Sequence, residues 1–163
     1  MKSTLAIATT LLATLASQAA ASFRIGYQGS DNHALPEIDE RGDLQTIVFL
    51  NFYGDPDLEL WEYETPEDSD GKVLIRNEQE GTYILCSAYW SECYAAEQGT
   101  LFHQPTQLAE IGGRTYYQIL ADGSDVDSPE QQTFALQGGN TLTLASPDIS
   151  NSQQFLSIEE VDE

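Results

Sequence analysis

Positive charge is what this 163-residue chain has least of: six Lys and Arg stand against 27 Asp and Glu, for a formal net charge of −21. Such a surface repels phosphate backbones and anionic headgroups, so neither nucleic acid nor a membrane is expected as a partner. It favours solubility, suits an acidic medium that protonates carboxylates, and leaves cationic partners open. Long hydrophobic runs are missing too: the run at 5–15 is too short to span a bilayer, and no later segment reaches 18 apolar residues. Metal ligands are scarce, because two cysteines and His33 and His103 make a weak zinc set. None of the five Asn residues has Ser or Thr two places on, which excludes N-glycosylation. No Gly-x-Ser-x-Gly elbow and no glycine-rich phosphate loop occurs, and neither His adjoins a recognisable nucleophile. With 27 acids, carboxylate pairs arise somewhere by number alone and carry no information about glycoside hydrolysis. No catalytic residue, metal or cofactor is assigned.

What is there begins at the first residue. Met1-Lys2 gives one positive charge, an apolar run follows, and Ala19-Ala20-Ala21 supplies a small-residue cleavage pattern. Residues 1–21 therefore read as a secretory signal peptide removed before Ser22, with 22–163 as a single secreted, extracellular domain. Loss of Lys2 would leave five basic residues against the 27 acids, a net −22. A copper oxygenase built on an N-terminal His is excluded by a Ser22 start. In an oxidising compartment Cys86 and Cys93 are expected to form one disulfide, which removes them from thiol catalysis. On the chain-entropy account so short a loop adds roughly 2–3 kcal/mol, a local staple.

Sixteen aromatics and frequent Leu, Ile and Val are enough to fill a core. Runs rich in Tyr, Thr, Val, Ile and Phe predict strands near 23–27, 44–53, 58–63, 72–76, 82–87, 92–95, 100–103, 115–120, 133–136, 141–145 and 154–158. Turn chemistry separates them: Gly54-Asp55-Pro56-Asp57, Asp70-Gly71, Gly112-Gly113, Asp122-Gly123 and Gly138-Gly139-Asn140. One helical turn is expected at 105–111, and the acidic tail 159–163 is expected to fray. The fold class is all-β, a compact barrel or β-trefoil-like domain with one disulfide-closed hairpin.

An internal echo bears on that choice. Gly81-Thr82-Tyr83-Ile84-Leu85-Cys86-Ser87 aligns with Gly139-Asn140-Thr141-Leu142-Thr143-Leu144-Ala145-Ser146, and Gly113-Arg114-Thr115-Tyr116-Tyr117 offers a third copy. Strands at Gly99-Thr100-Leu101-Phe102, Gln132-Thr133-Phe134 and Gln153-Gln154-Phe155 follow them, a three-unit pattern. The C-terminal copy, ending in Ser152-Gln153-Gln154-Phe155, resembles the Gln-x-Trp repeats of ricin-B-type lectins, with Phe in place of Trp. The resemblance covers the C-terminal half and implies a β-trefoil that binds carbohydrate.

The most pointed local feature is the segment between the cysteines. Ser87-Ala88-Tyr89-Trp90-Ser91-Glu92 carries two adjacent aromatics, with Tyr94 just beyond. Pyranose recognition needs flat apolar faces and nearby carboxylates, and Tyr89, Trp90, Glu92 and Tyr94 supply both. Adjacent strand residues point to opposite sides, so one of Tyr89 and Trp90 is presented unless the tip is irregular. Packing of these aromatics on the core beside the disulfide is the competing arrangement. Leu58-Glu59-Leu60-Trp61-Glu62-Tyr63-Glu64 reads as an ordinary barrel strand. Alternating acids at Asp55, Glu67 and Asp122 resemble calcium turns, that at Asp122 most closely, but none completes an EF-hand loop. The expected function is non-enzymatic: a monomeric secreted acidic protein that recognises an extracellular glycan or protein. A small secreted hydrolase with paired carboxylates is the alternative, as is an inhibitor or effector acting on a partner enzyme.

Overall fold

The computed structural model describes residues 21–38, 45–51, 55–88, 92–123, 126, 128 and 130–161. The expected leader lies outside these residues apart from Ala21. Among the described residues thirteen strands run β1 (Phe23–Tyr27), β2 (His33–Ile38), β3 (Gln45–Leu50), β4 (Trp61–Glu64), β5 (Leu74–Asn77), β6 (Tyr83–Leu85) and β7 (Tyr94–Ala96). They continue as β8 (Thr106–Ile111), β9 (Arg114–Gln118), β10 (Leu120–Ala121), β11 (Gln132–Gln137), β12 (Thr141–Ala145) and β13 (Leu156–Glu160). Two short 3-10 turns, Pro56–Glu59 and Ser152–Gln154, precede β4 and β13.

The pairings close on themselves. Phe23 faces Trp61, Trp61 faces Asn77, Val73 faces Phe102, Phe102 faces Ala121, Tyr117 faces Leu156, and Leu156 faces Tyr27. Each of the three segments Phe23 to Tyr27, Val73 to Asn77 and Tyr117 to Ala121 thus spans the same four-residue step between its two neighbours. That repetition is a three-fold pseudo-symmetry, and the ring is a closed barrel. Each unit also carries one hairpin: β2 with β3, β6 with β7, and β11 with β12.

The residues that turn inward are those the sequence offers at alternate positions. Trp61, Phe49, Phe102, Phe134, Ile25, Ile75, Ile84 and Leu142 are all fully buried. Phe23 stacks on Tyr63 with ring centroids 4.2 Å apart, and Phe102 packs on Phe134 at 4.7 Å. Each such side chain contributes about 1.5–3 kcal/mol by leaving water, so the barrel is filled rather than hollow.

Four expectations change. The segment expected to form a helical turn at 105–111 is strand β8. Gly112 and Gly113, at φ 63° and 81°, make a tight turn that sets Arg114 opposite Ile111. A ladder then satisfies the backbone, which one isolated helical turn cannot do as well. The tail does not fray at Glu159 and Glu160, which pair with Arg24 and Phe23, and the Val161 N–H donates to the Ser22 carbonyl. Strand β2 is additional; Pro36, which lacks an N–H, broke the expected alternation there. The three-fold relation stands, but on other residues: β6 opens one hairpin whereas β12 closes another, so the echoing segments are not equivalent.

Candidate recognition surface

The disulfide joins Cys86 and Cys93, as expected, but it lies in the core rather than at an outer tip. The Ile47 N–H donates to the Cys93 carbonyl at 2.9 Å, and the Cys93 N–H donates to the Leu142 carbonyl at 2.8 Å. One residue from each hairpin therefore meets at the pseudo-symmetry axis. The cross-strand partners are Pro36 for Ile47 and Leu136 for Leu142, and the register of Leu85 with Tyr94 places Cys86 opposite Cys93. The disulfide takes the place of an apolar pair in one of three equivalent positions. Thr100 fixes it further: its hydroxyl accepts from the Cys86 N–H at 2.8 Å and donates to the Cys86 carbonyl at 2.9 Å.

The segment read as the recognition tip follows this anchored root in the sequence. Tyr89 and Trp90 lie outside the described residues. Glu92 and Tyr94 lie within them, both half-buried, and the Tyr94 hydroxyl donates to the Glu92 carboxylate at 3.3 Å. The structure thus brings two of the four expected ligand-binding residues together at the base of the loop.

The other candidates resolve structurally. Trp61 is fully buried, with its indole N–H on the Ala34 carbonyl, and the hydroxyl of Tyr63 has no hydrogen-bond partner among the described residues. Asp55 caps the first 3-10 turn, accepting from the Asp57 N–H at 3.1 Å, and also accepts from the Gln79 amide at 2.8 Å. Asp122 is paired with Lys72. No group of three or more His, Cys, Asp or Glu side chains suited to a metal occurs among the described residues. His33 Nδ1 lies 3.2 Å from Glu59, which is also 3.3 Å from Arg24 Nε.

The sequence reading missed a groove of about 260 Å³, lined by Leu35, Pro36, Glu37, Gln45, Leu50, Leu58 and Glu80. It runs between the β2–β3 hairpin and the turn that carries Leu58. Leu35, Pro36, Leu50 and Leu58 form an apolar floor, and Glu37 and Glu80 stand exposed at its rim. The signal was present as Leu35-Pro36-Glu37, but it became readable only once β2 was known to be a strand.

No protein-family model and no curated protein matches the sequence. Solved structures do match. A designed three-fold symmetric protein, ThreeFoil, superposes over 86% of this chain and 99% of its own, with a TM-score of 0.60 at 10% identity. The chain has a β-trefoil fold. A ricin B-like lectin of Macrolepiota procera, solved with lactose, matches over 86% of this chain and 95% of its own, with a TM-score of 0.60 at 11% identity. A lectin of Polyporus squamosus, solved with the epitope Neu5Acα2-6Galβ1-4GlcNAc, matches over 88% of this trefoil with a TM-score of 0.59 at 13% identity. The trefoil spans 50% of the length of that lectin, and 33% of an endo-β-galactosidase from Clostridium perfringens.

The pairings also pick out three equivalent positions in the trefoil. Leu156, Trp61 and Phe102 are equivalent ring residues, and two places before each stands a buried polar residue: Gln154, Glu59 and Thr100. Gln154 works as a brace, its amide donating to the Ser146 carbonyl and its oxygen accepting from the Asp148 N–H.

Proposed function

We propose that this trefoil is a secreted recognition protein that binds an extracellular glycan through the loop between Cys86 and Cys93. The observation that carries the reading is the fold itself, shared over most of the chain with lectins solved holding sugars. The buried root at Cys86 and Cys93 and the Glu92–Tyr94 contact support the loop as the place of binding. Trp90 or Tyr89 stacks on a pyranose face, and Glu92 accepts hydrogen bonds from its hydroxyls. A glycan array comparing wild type with Trp90→Ala tests it, with the disulfide verified in both. Glycans bound by the wild type should be lost from the variant. An empty array, or identical binding by both proteins, overturns the reading.

A second reading, a secreted inhibitor or effector, is favoured by the loop before β13. Ile149 is 75% exposed. The loop around it is braced: Asp148 accepts from the Ser150 N–H and hydroxyl, and Gln154 ties both Asp148 and Ser146. A rigid loop that presents an apolar side chain suits insertion into a partner's pocket. Inhibition of a panel of secreted endopeptidases by wild type, abolished in Ile149→Asp, would support it; no inhibition in the panel removes it.

A further inference from the structure

We propose that the groove between the β2–β3 hairpin and the Leu58 turn is a binding site for a basic peptide segment of a partner protein. In this site the aliphatic stem of a Lys or Arg lies on Leu35, Pro36, Leu50 and Leu58, and its charged head reaches Glu37 and Glu80.

Three observations carry this. The first is the shape and lining: an apolar floor with a rim whose only charged groups, among the described residues, are acids. A long cationic side chain is amphipathic in just this way, with an apolar stem and a polar end. The second is charge complementarity. Every described Lys and Arg is already engaged with another carboxylate: Arg24 with Glu59, Lys72 with Asp122, Arg76 with Glu62 and Arg114 with Asp31. Among the described residues no cation pairs with Glu37 or Glu80. Among the described residues the rim therefore carries negative charge alone, and a cation in a groove with apolar walls is drawn there more strongly than to an open acidic surface.

The third observation is that the far wall is held in place from beneath. Asn77 is fully buried, and its amide nitrogen donates to the carbonyls of Leu58 at 2.9 Å and Leu60 at 3.2 Å. Its side-chain oxygen accepts from the Glu80 N–H at 3.0 Å. One side chain thus fixes both the residue that floors the groove and a residue that charges its rim. The equivalent ring positions are Tyr27 and Ala121, neither of which has this side chain, so the arrangement belongs to one of the three units. A wall already ordered before binding saves the entropy of ordering it afterwards.

The test is fluorescence anisotropy with a labelled, end-blocked heptapeptide alternating Leu and Arg, against the same peptide with every Arg replaced by citrulline. Citrulline keeps the stem and removes the charge. Wild type should bind the Arg peptide in preference. Glu37→Gln/Glu80→Gln should weaken that binding about three- to ten-fold, as expected for two solvated ion pairs. Glu110→Gln/Glu160→Gln, which removes the same charge from exposed strand positions elsewhere, should leave it unchanged. Amide shifts on titration should centre on Leu35, Leu50, Leu58 and Glu80. Equal binding of the citrulline peptide, or equal weakening by the two double variants, overturns the site. So does perturbation of these same amides by lactose with none by the Arg peptide. The site is independent of the glycan reading, since Trp90→Ala should not alter peptide binding.

Discussion

The indole N–H of Trp61 donates to the Ala34 carbonyl at 2.9 Å, tying a barrel strand to a hairpin strand 27 residues earlier. Trp61 is also fully buried at one of the three equivalent ring positions. Replacing it with Phe removes ring volume and leaves a buried carbonyl without its donor. Trp61→Phe should lower stability by about 2–3 kcal/mol, measured by urea unfolding followed by circular dichroism. Its emission in the native protein should be blue-shifted, and the variant reports Trp90 alone.

Tyr63 is expected to respond in the opposite sense. Its hydroxyl is buried without a partner among the described residues. Burial, assisted by the neighbouring Tyr117, pushes its ionisation well above the ordinary value of 10. Because the folded value lies above the unfolded one, the associated stability is complete below about pH 10 and declines as pH rises beyond it. Tyr63→Phe keeps the stacking on Phe23 and deletes the unsatisfied hydroxyl. It should raise stability by roughly 1 kcal/mol and flatten the alkaline loss, read from thermal melts at pH 8 to 11.

The Cys86–Cys93 bond occupies the pseudo-symmetry axis, so its removal costs packing as well as chain entropy. Cys86→Ala/Cys93→Ala should destabilise by about 3 kcal/mol or more. Cys86→Val/Cys93→Val fills more of the space and should recover part of that loss. If both pairs behave alike in urea melts, the bond acts through the unfolded chain alone.

Asp148 accepts two hydrogen bonds from Ser150, at 2.9 Å from the backbone N–H and 2.6 Å from the hydroxyl, and these hold its carboxyl below the ordinary value of 3.8. The folded value is depressed, so the stabilisation is present above the unfolded value and vanishes as pH falls through the folded one. Carbon-13 NMR titration of Ser150→Ala should show the Asp148 carboxyl rising towards 3.8. An unchanged midpoint would assign the depression to something other than the hydroxyl bond, which is the one this substitution removes.

Much of the barrel was legible because β-strands announce themselves by composition and period: β1 and β12 were read with their observed bounds. Strands whose partners supply the signal were not. Pro36 and His33 hide β2, and Leu108 and Ile111 mimic a helical spacing in β8 that only the turn at Gly112-Gly113 overrides. The three-fold relation was sensed through the wrong residues, since equivalence resides in which residues pair rather than in sequence likeness; Trp61, Phe102 and Leu156 share no side chain. The Glu92–Tyr94 contact could be anticipated from their spacing of two, although Glu92 stands just before β7 rather than in it. The groove could not, because Glu80 reaches it through the buried amide of Asn77 and no local pattern encodes that.

Strand β1 lies beside β13, with Phe23 opposite Glu160 and the Val161 N–H donating to the Ser22 carbonyl at 2.8 Å. The two extremities of the barrel are therefore next-door neighbours. A short peptide bridging them would add almost no loop-closure penalty, and new ends opened at Gly112-Gly113 would fall in a solvent-exposed reversal that makes no ring pairing. The molecule should accordingly tolerate circular permutation, a route to grafting it into a host scaffold without disturbing its core.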